Sequence, residues 1–444
     1  MMKLRHIPLL FLVGFILFPC LGVAEIKFSD RIEEYSLDNE MKVILIQDKR
    51  SPIVVSSLWY KVGSSFEYPG VTGISHILEH MMFKGTTTTE AGEFSRIIKQ
   101  LGGSENAFTG RDFTGYYQKV HKDYLETCLK YESDRMVNLM LNQEDLRTER
   151  EVVKEERRLR TEDNPSSKAY EKIGMQIFGL QKYGIPIIGT MEDISNINTQ
   201  DLKDWYNRYY KPSNAILIIA GDFQELKTKQ LIEKYFGPIQ NKNTTSESKK
   251  ISHQKSYKDI VLRDNVSSPL LVMSFGNNAY DMNDPSDSYA LEVLFELMDG
   301  GFSSRFTKNI TDKKIALNTF IYFDTYAKEE NLISIGGTPR ANKSIIELET
   351  AIINEFKNII ENDSISDEEM SRIKSRVIAS NVYKFDSVFY QAMQVGMLET
   401  KGFKWQLLDS YITNIMSVDY SDLKRVTEKY ILNNKYLTTA VIPK

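Results

Sequence analysis

Cysteine is nearly missing from this sequence, with two in 444 residues. One of them, Cys20, sits in an N-terminal stretch that reads as removable. A mature chain holding only Cys128 has no intramolecular disulfide, which excludes the small disulfide-stapled extracellular scaffolds. A basic surplus is also lacking: 56 Lys and Arg stand against 60 Asp and Glu, and loss of Lys3 and Arg5 takes the formal charge from −4 to −6. Such a mildly acidic surface has no cationic footprint for nucleic acid. Past residue 24, no apolar run is long enough to span a bilayer.

The first 24 residues differ from the rest. Lys3 and Arg5 precede an apolar run from Ile7 to Phe18, and Gly22-Val23-Ala24 places small residues where a signal peptidase cuts. Residues 1–24 are expected to be a secretory signal peptide, with a mature chain starting at Glu25. Export without disulfides suits a bacterial periplasm. An uncleaved anchor is the alternative, because the run just reaches the lower limit for a span.

The remaining length exceeds one ordinary core, so two domains are expected. Asn241 to Lys258 is polar and almost free of large apolar residues, the composition of a linker. Its flanks resemble each other. Ser51-Pro52 followed by IVVSSLWYKVGS reads as a strand, and Ser268-Pro269 followed by LLVMSFGN repeats it 217 residues later. Strands alternate with long helical stretches such as Thr89–Leu101, Lys122–Leu141 and Ile345–Glu361. The expected fold is α+β with two homologous domains, each a mostly antiparallel sheet packed with helices: residues 25–240, a linker over 241–258, and 259–444.

Only five histidines occur in the chain, and two fall in Gly73-Ile74-Ser75-His76-Ile77-Leu78-Glu79-His80-Met81-Met82-Phe83. Ile74, Ile77, Leu78, Met81 and Met82 recur at helical spacing. On a helix, His76 and His80 project on one face with Cβ atoms about 5–6 Å apart. Two imidazoles so placed can share one zinc at about 2.0–2.1 Å. Glu79 lies on nearly the same face, within reach of a water at the metal, as a general base requires. This is an H-x-x-E-H arrangement. Burying two His and a Glu without a shared partner would be costly.

A catalytic zinc normally has a third protein ligand. The acidic stretch Leu146–Glu162 offers Glu149, Glu151, Glu155 and Glu156. On a helix, 149, 152, 153, 156 and 160 share a side, and Val152 and Val153 mark it as the buried one. Glu156 projects with the valines, whereas Glu155 is turned about 100° away at 3.6 residues per turn. Glu149 also faces inward, where it could orient a ligand from behind.

GISHILEHMMFKGT, GGSENAFTGRDFTGYY, EREVVKEE and YGIPIIGTMEDI, in that order, make the chain resemble the pitrilysin family, which includes insulin-degrading enzyme and the mitochondrial processing peptidase. The resemblance runs over most of the mature chain. It implies a zinc endopeptidase whose third ligand lies some 75 residues after the second His, which leads again to Glu156. It also implies that Gly102 to Ala107 form a strand whose open edge pairs with substrate backbone, with Asn106 and Ala107 contacting the peptide. At the 217-residue offset, His76, Glu79 and His80 fall on Val293, Glu296 and Leu297, so metal is expected in the first half alone. In the family the second half contributes an Arg and, seven residues on, a Tyr. Thr311 and Asn318 stand at those positions here, with Arg305 and Tyr322 nearby but wrongly spaced.

The expectation is therefore a periplasmic zinc metalloendopeptidase subunit acting on peptides or unfolded segments inside a dimeric chamber. A zinc-free homologous subunit would supply the Arg and Tyr in a heterodimer. A non-catalytic assembly or peptide-binding subunit that retains a zinc site is the competing expectation.

Overall fold

The computed structural model describes residues 28–242, 253–361 and 365–444. The expected signal peptide and most of the expected linker lie outside the described residues. Two sheets organise the chain. In the first half the strands are β1 (Ile32–Ser36), β2 (Lys42–Gln47), β3 (Ile53–Tyr60), β4 (Ser104–Thr109), β5 (Thr114–His121) and β6 (Ala215–Gly221). They lie in the order β1-β2-β6-β3-β5-β4. The second half holds β7 (Ile260–Asp264), β8 (Leu270–Asn277), β9 (Ala316–Tyr322), β10 (Asn331–Pro339) and β11 (Tyr436–Pro443), in the order β7-β11-β8-β10-β9.

Setting β1 aside, the two orders correspond position for position. In each sheet one pair, β2 with β6 and β7 with β11, is parallel, and the rest are antiparallel. Ile53 and Leu270, 217 residues apart, open equivalent strands. The chain is two homologous α+β halves, as its repeated strand motif predicts.

The halves are interlocked. One face of the first sheet packs Val43, Leu45, Val54 and Leu58 against Ile74, Ile77, Leu78 and Met81 of the helix Ile74–Met81. The other face, with Ile44, Ile46, Val55, Trp59, Ile216 and Ile218, is covered by Ala392 and Val395 of Val388–Thr400, a helix of the second half. In return, Ile173 and Ile177 of Pro165–Phe178, a first-half helix, pack on Val272 and Leu437 of the second sheet. Burial on both faces explains why β6 reads AILIIAG, apolar throughout rather than alternating. The contact is close enough that a Cβ on Gly396 would meet Trp59 Cε2 at 2.1 Å. Each half thus keeps its own main core, and smaller shared clusters on the opposite sheet faces join the two.

Candidate active site

Ile74–Met81 is a short helix, and its entry is pinned from several directions. Gly73 begins it with φ +87°, where a Cβ would meet the Ile188 carbonyl oxygen at 2.5 Å; only glycine suits that conformation and that approach. The Gly73 and Ser75 amides donate to the two Glu67 carboxylate oxygens at 2.6 and 2.9 Å. Glu67 is fully buried, and burial pushes its pKa up to about 8 against the pull of those amides. Asp193 Oδ2 accepts from the Gly70 and Thr72 amides, both at 3.1 Å, and from the Thr72 hydroxyl. YGIPIIGTMEDI thus supplies a brace for the helix.

From this helix His76 and His80 converge with Glu156, which stands near the end of Gln143–Arg157. Their ligand atoms all lie within 4.8 Å of one another. Glu156 Oε2 is 3.7 Å from His76 Nε2 and 3.4 Å from His80 Nε2. A tetrahedron drawn about zinc at ~2.05 Å has edges of about 3.3–3.4 Å, so the donor set fits that ion. His80 Nδ1 lies 2.9 Å from Glu149 Oε2, and Glu149 Oε1 receives Lys84 Nζ at 2.5 Å. Donation from Nδ1 to Glu149 leaves the Nε2 lone pair facing the site. His76 is held by burial, being 7% exposed.

The electrostatics follow the contacts. Burial, reinforced by the nearby His80, holds the His76 pKa down. Burial acts in the same direction on His80, but hydrogen bonds to Glu149 and Glu156 outweigh it and take that pKa up to about 9. The bond to His80 lowers both carboxylates, Glu149 and Glu156. Glu79 is raised by burial, although Thr109 Oγ1 donates to its Oε2 at 2.5 Å.

Thr109 ends β4, which lies at one edge of the first sheet, opposite β1. Asn106, Ala107 and Thr109 of that strand line one cleft of about 780 Å³ with His76, Glu79, His80 and Glu156. The structure thus brings together every residue singled out for the site. It corrects one premise. Val152 is 46% exposed, and the buried stripe of Gln143–Arg157 is Leu146, Glu149, Val153 and Arg157. Glu156 borders that stripe and looks into the cleft rather than into the core.

The second half offers no imidazole at the equivalent place. Val293 and Leu297 of Ser286–Asp299 are core residues, and Glu296 pairs with Arg376 at 3.0 Å. The Thr311 hydroxyl donates to the Thr307 carbonyl, and Asn318 Oδ1 accepts from the Thr338 amide. Arg305 is tied to Glu369 at 2.7 Å. Tyr322 is 59% exposed, its ring 6.2 Å from that of Tyr170. Sequence reasoning missed Thr109, Glu67, Lys84 and Arg111. Thr109 and Arg111 lie inside a motif already noted, while Glu67 carries no local signal.

This fold and site define a two-half α+β chain with an inverted H-x-x-E-H cluster in its first half. Residues 42–191 match the model for Insulinase (Peptidase family M16), and residues 196–377 match that for the Peptidase M16 inactive domain. The chain belongs to peptidase family M16. It is similar to the zinc protease PqqE of Helicobacter pylori, 27% identical over 425 residues and 94% of each chain. With the uncharacterized zinc protease YmxG of Bacillus subtilis it shares 26% identity, over 87% of this chain and 93% of that protein. The crystal structure of a protease from Helicobacter pylori superposes with a TM-score of 0.85 at 27% identity, over 93% of this chain and 99% of that one. Among the described residues, no helix is long and apolar enough to cross a membrane.

Proposed function

We propose that this chain is the zinc-bearing subunit of a metalloendopeptidase that cleaves peptides or unfolded segments. The observation that carries this is the convergence of His76, His80 and Glu156 beside Glu79, in a cleft bounded by the edge strand β4. His76 Nε2, His80 Nε2 and Glu156 Oε2 would hold the ion. Zinc held there supplies Lewis acidity, which polarises a scissile carbonyl and makes the attacking water more acidic. Glu79 takes the water proton and returns it to the leaving amine. Thr109 holds Glu79 Oε2 and so leaves Oε1 for that transfer. A peptide added to β4 is held extended, with Asn106 and Ala107 beside it.

Thr311 and Asn318 give the second half no cation or phenol at the positions that carry Arg and Tyr in the family. The reading therefore includes a zinc-free homologous subunit, which supplies both groups in a heterodimeric chamber. The N-terminal sequence supports export to the periplasm after cleavage before Glu25. Cleavage of a mixed peptide pool, by the chain alone and with a zinc-free homologue from the same organism, tests the proposal. Hydrolysis should stop with a chelator and return with zinc. A fully zinc-loaded chain that cuts nothing in either case would leave a peptide-binding subunit instead.

A further inference from the structure

The cleft holds a cation that the chemistry above does not use. Arg111 sits in the turn between β4 and β5, and its backbone is clamped there. Its carbonyl accepts from the Ser65 amide at 2.8 Å, and the Gly110 carbonyl accepts from the Ser64 amide at 3.1 Å. Gly63 lies so close that a Cβ would meet the Gly110 carbonyl oxygen at 2.3 Å. The guanidinium lies 5.0 Å over the Tyr183 ring. That ring is itself fixed, 4% exposed, with its hydroxyl donating to Asp112 Oδ2. Burial and the neighbouring Asp112 push the Tyr183 phenol up, so it stays a donor.

The carboxylates around Arg111 are already committed. Asp112 takes Tyr183 on one oxygen and Ser65 on the other. Asp324 pairs with Lys401 at 2.9 Å. Of the cleft acids, Glu171 is bound to Arg157, and Glu156 Oε1 to Arg160. Among the described residues, none forms an ion pair with Arg111. Its side chain is exposed and lines the cleft, and desolvation by the surrounding chain lowers its pKa, outweighing the opposing pull of Tyr183, Asp112 and Asp324. A guanidinium prepositioned on an aromatic face, with its fork unengaged, is built to take a planar oxyanion in two parallel bonds.

We propose that Arg111 is a carboxylate-binding subsite that selects peptides carrying an acidic group within about three residues of the scissile bond. The distance follows from the strand. Thr109, which touches Glu79, is two residues away, at most about 7 Å of chain. The proposal rests on the peptidase reading, because β4 and Glu79 set where the scissile bond lies. The acidic group is either a Glu or Asp side chain or the peptide's own C-terminal carboxylate.

Binding of fluorescein-labelled peptides to zinc-loaded full-length Glu79→Gln protein separates this proposal from turnover. Peptides with Glu or Gln at each of three positions on either side of a central bond, and with free or amidated C-termini, scan the subsite. One position, or the free terminus, should bind about 10–100-fold tighter in its acidic form, the range for a hydrogen bond to a charged group. Arg111→Gln should erase that preference, and Arg111→Glu should invert it toward Lys, a reversal that a merely structural role would not produce. Equal binding of acidic and neutral peptides at every position overturns the proposal. So does an Arg111→Gln enzyme that turns over all peptides more slowly with preference unchanged, which makes Arg111 a catalytic residue. Preserved preference with no cleavage by unsubstituted enzyme removes the peptidase reading and leaves the subsite standing.

Discussion

Glu149 touches no proposed substrate and is not placed to ligate the metal, yet its removal should be felt there. Its Oε2 lies 2.9 Å from His80 Nδ1, and its Oε1 is fixed by Lys84. Glu149→Ala removes the acceptor that holds the His80 ring and makes it a stronger donor. Such partners behind a ligand are worth about 10–100-fold in metal affinity, or roughly 1.4–2.7 kcal/mol. Glu149→Gln keeps an acceptor at the same place and should lose under tenfold. A second effect opposes the first. In the metal-free protein the bonds to Glu149 and Glu156 carry His80 up to about 9, so zinc must displace a proton at neutral pH. Apparent affinity should therefore climb by about tenfold per unit below pH 9. Without Glu149 the His80 pKa falls and the proton competes less. The Glu149→Ala deficit should thus widen as pH rises from 6 toward 9. Competition with a chelating dye across that range, with melting temperatures to show that the fold is intact, measures both effects. A folded Glu149→Ala protein that binds zinc within twofold of the parent at pH 8.5 refutes the reasoning. A loss as large as that of Glu156→Ala would make Glu149 a ligand.

Three further outcomes are expected. Gly396→Ala forces the helix Val388–Thr400 away from Trp59 and should cost about 1–3 kcal/mol, read by denaturant unfolding; an unchanged midpoint would mean that the halves are not locked there. Burial raises the Glu67 pKa from an unfolded value near 4.5 to about 8, so folding disfavours its charged form. Its contribution therefore weakens stability as pH rises from about 4.5 to 8; Glu67→Gln should flatten that slope, and an unaltered stability profile would contradict the assignment. Finally, the chain alone should be slower than its mixture with the zinc-free homologue by about 10²–10³-fold, as for one lost transition-state donor; robust cleavage with no partner detectable would move that role to Arg111, Arg305 or Tyr322.

What could be read in advance divides by range. The helix with His76, Glu79 and His80 was legible because the motif is local and its apolar neighbours keep a 3.6-residue period. The two sheets were legible because β3 and β8 repeat the same strand in two places. The acidic helix was half legible. Two adjacent valines cannot show which of them is buried, and the third mark of the true stripe is Leu146, two turns earlier. Thr109 against Glu79, Glu67 beneath Gly73 and the exchange of helices between sheets are long-range pairings. No periodicity carries them, since each depends on where the chain returns. Thr311 and Asn318 were legible only as departures from a family pattern.

The central claim is that Glu79 handles the proton while His76, His80 and Glu156 hold the ion. Zinc content and peptide turnover of Glu79→Gln, measured side by side with Glu156→Gln in the presence of the partner, test it most directly. The account predicts that Glu79→Gln keeps one zinc per chain and loses turnover, while Glu156→Gln loses both. Loss of zinc on Glu79→Gln, or full retention on Glu156→Gln, would contradict it.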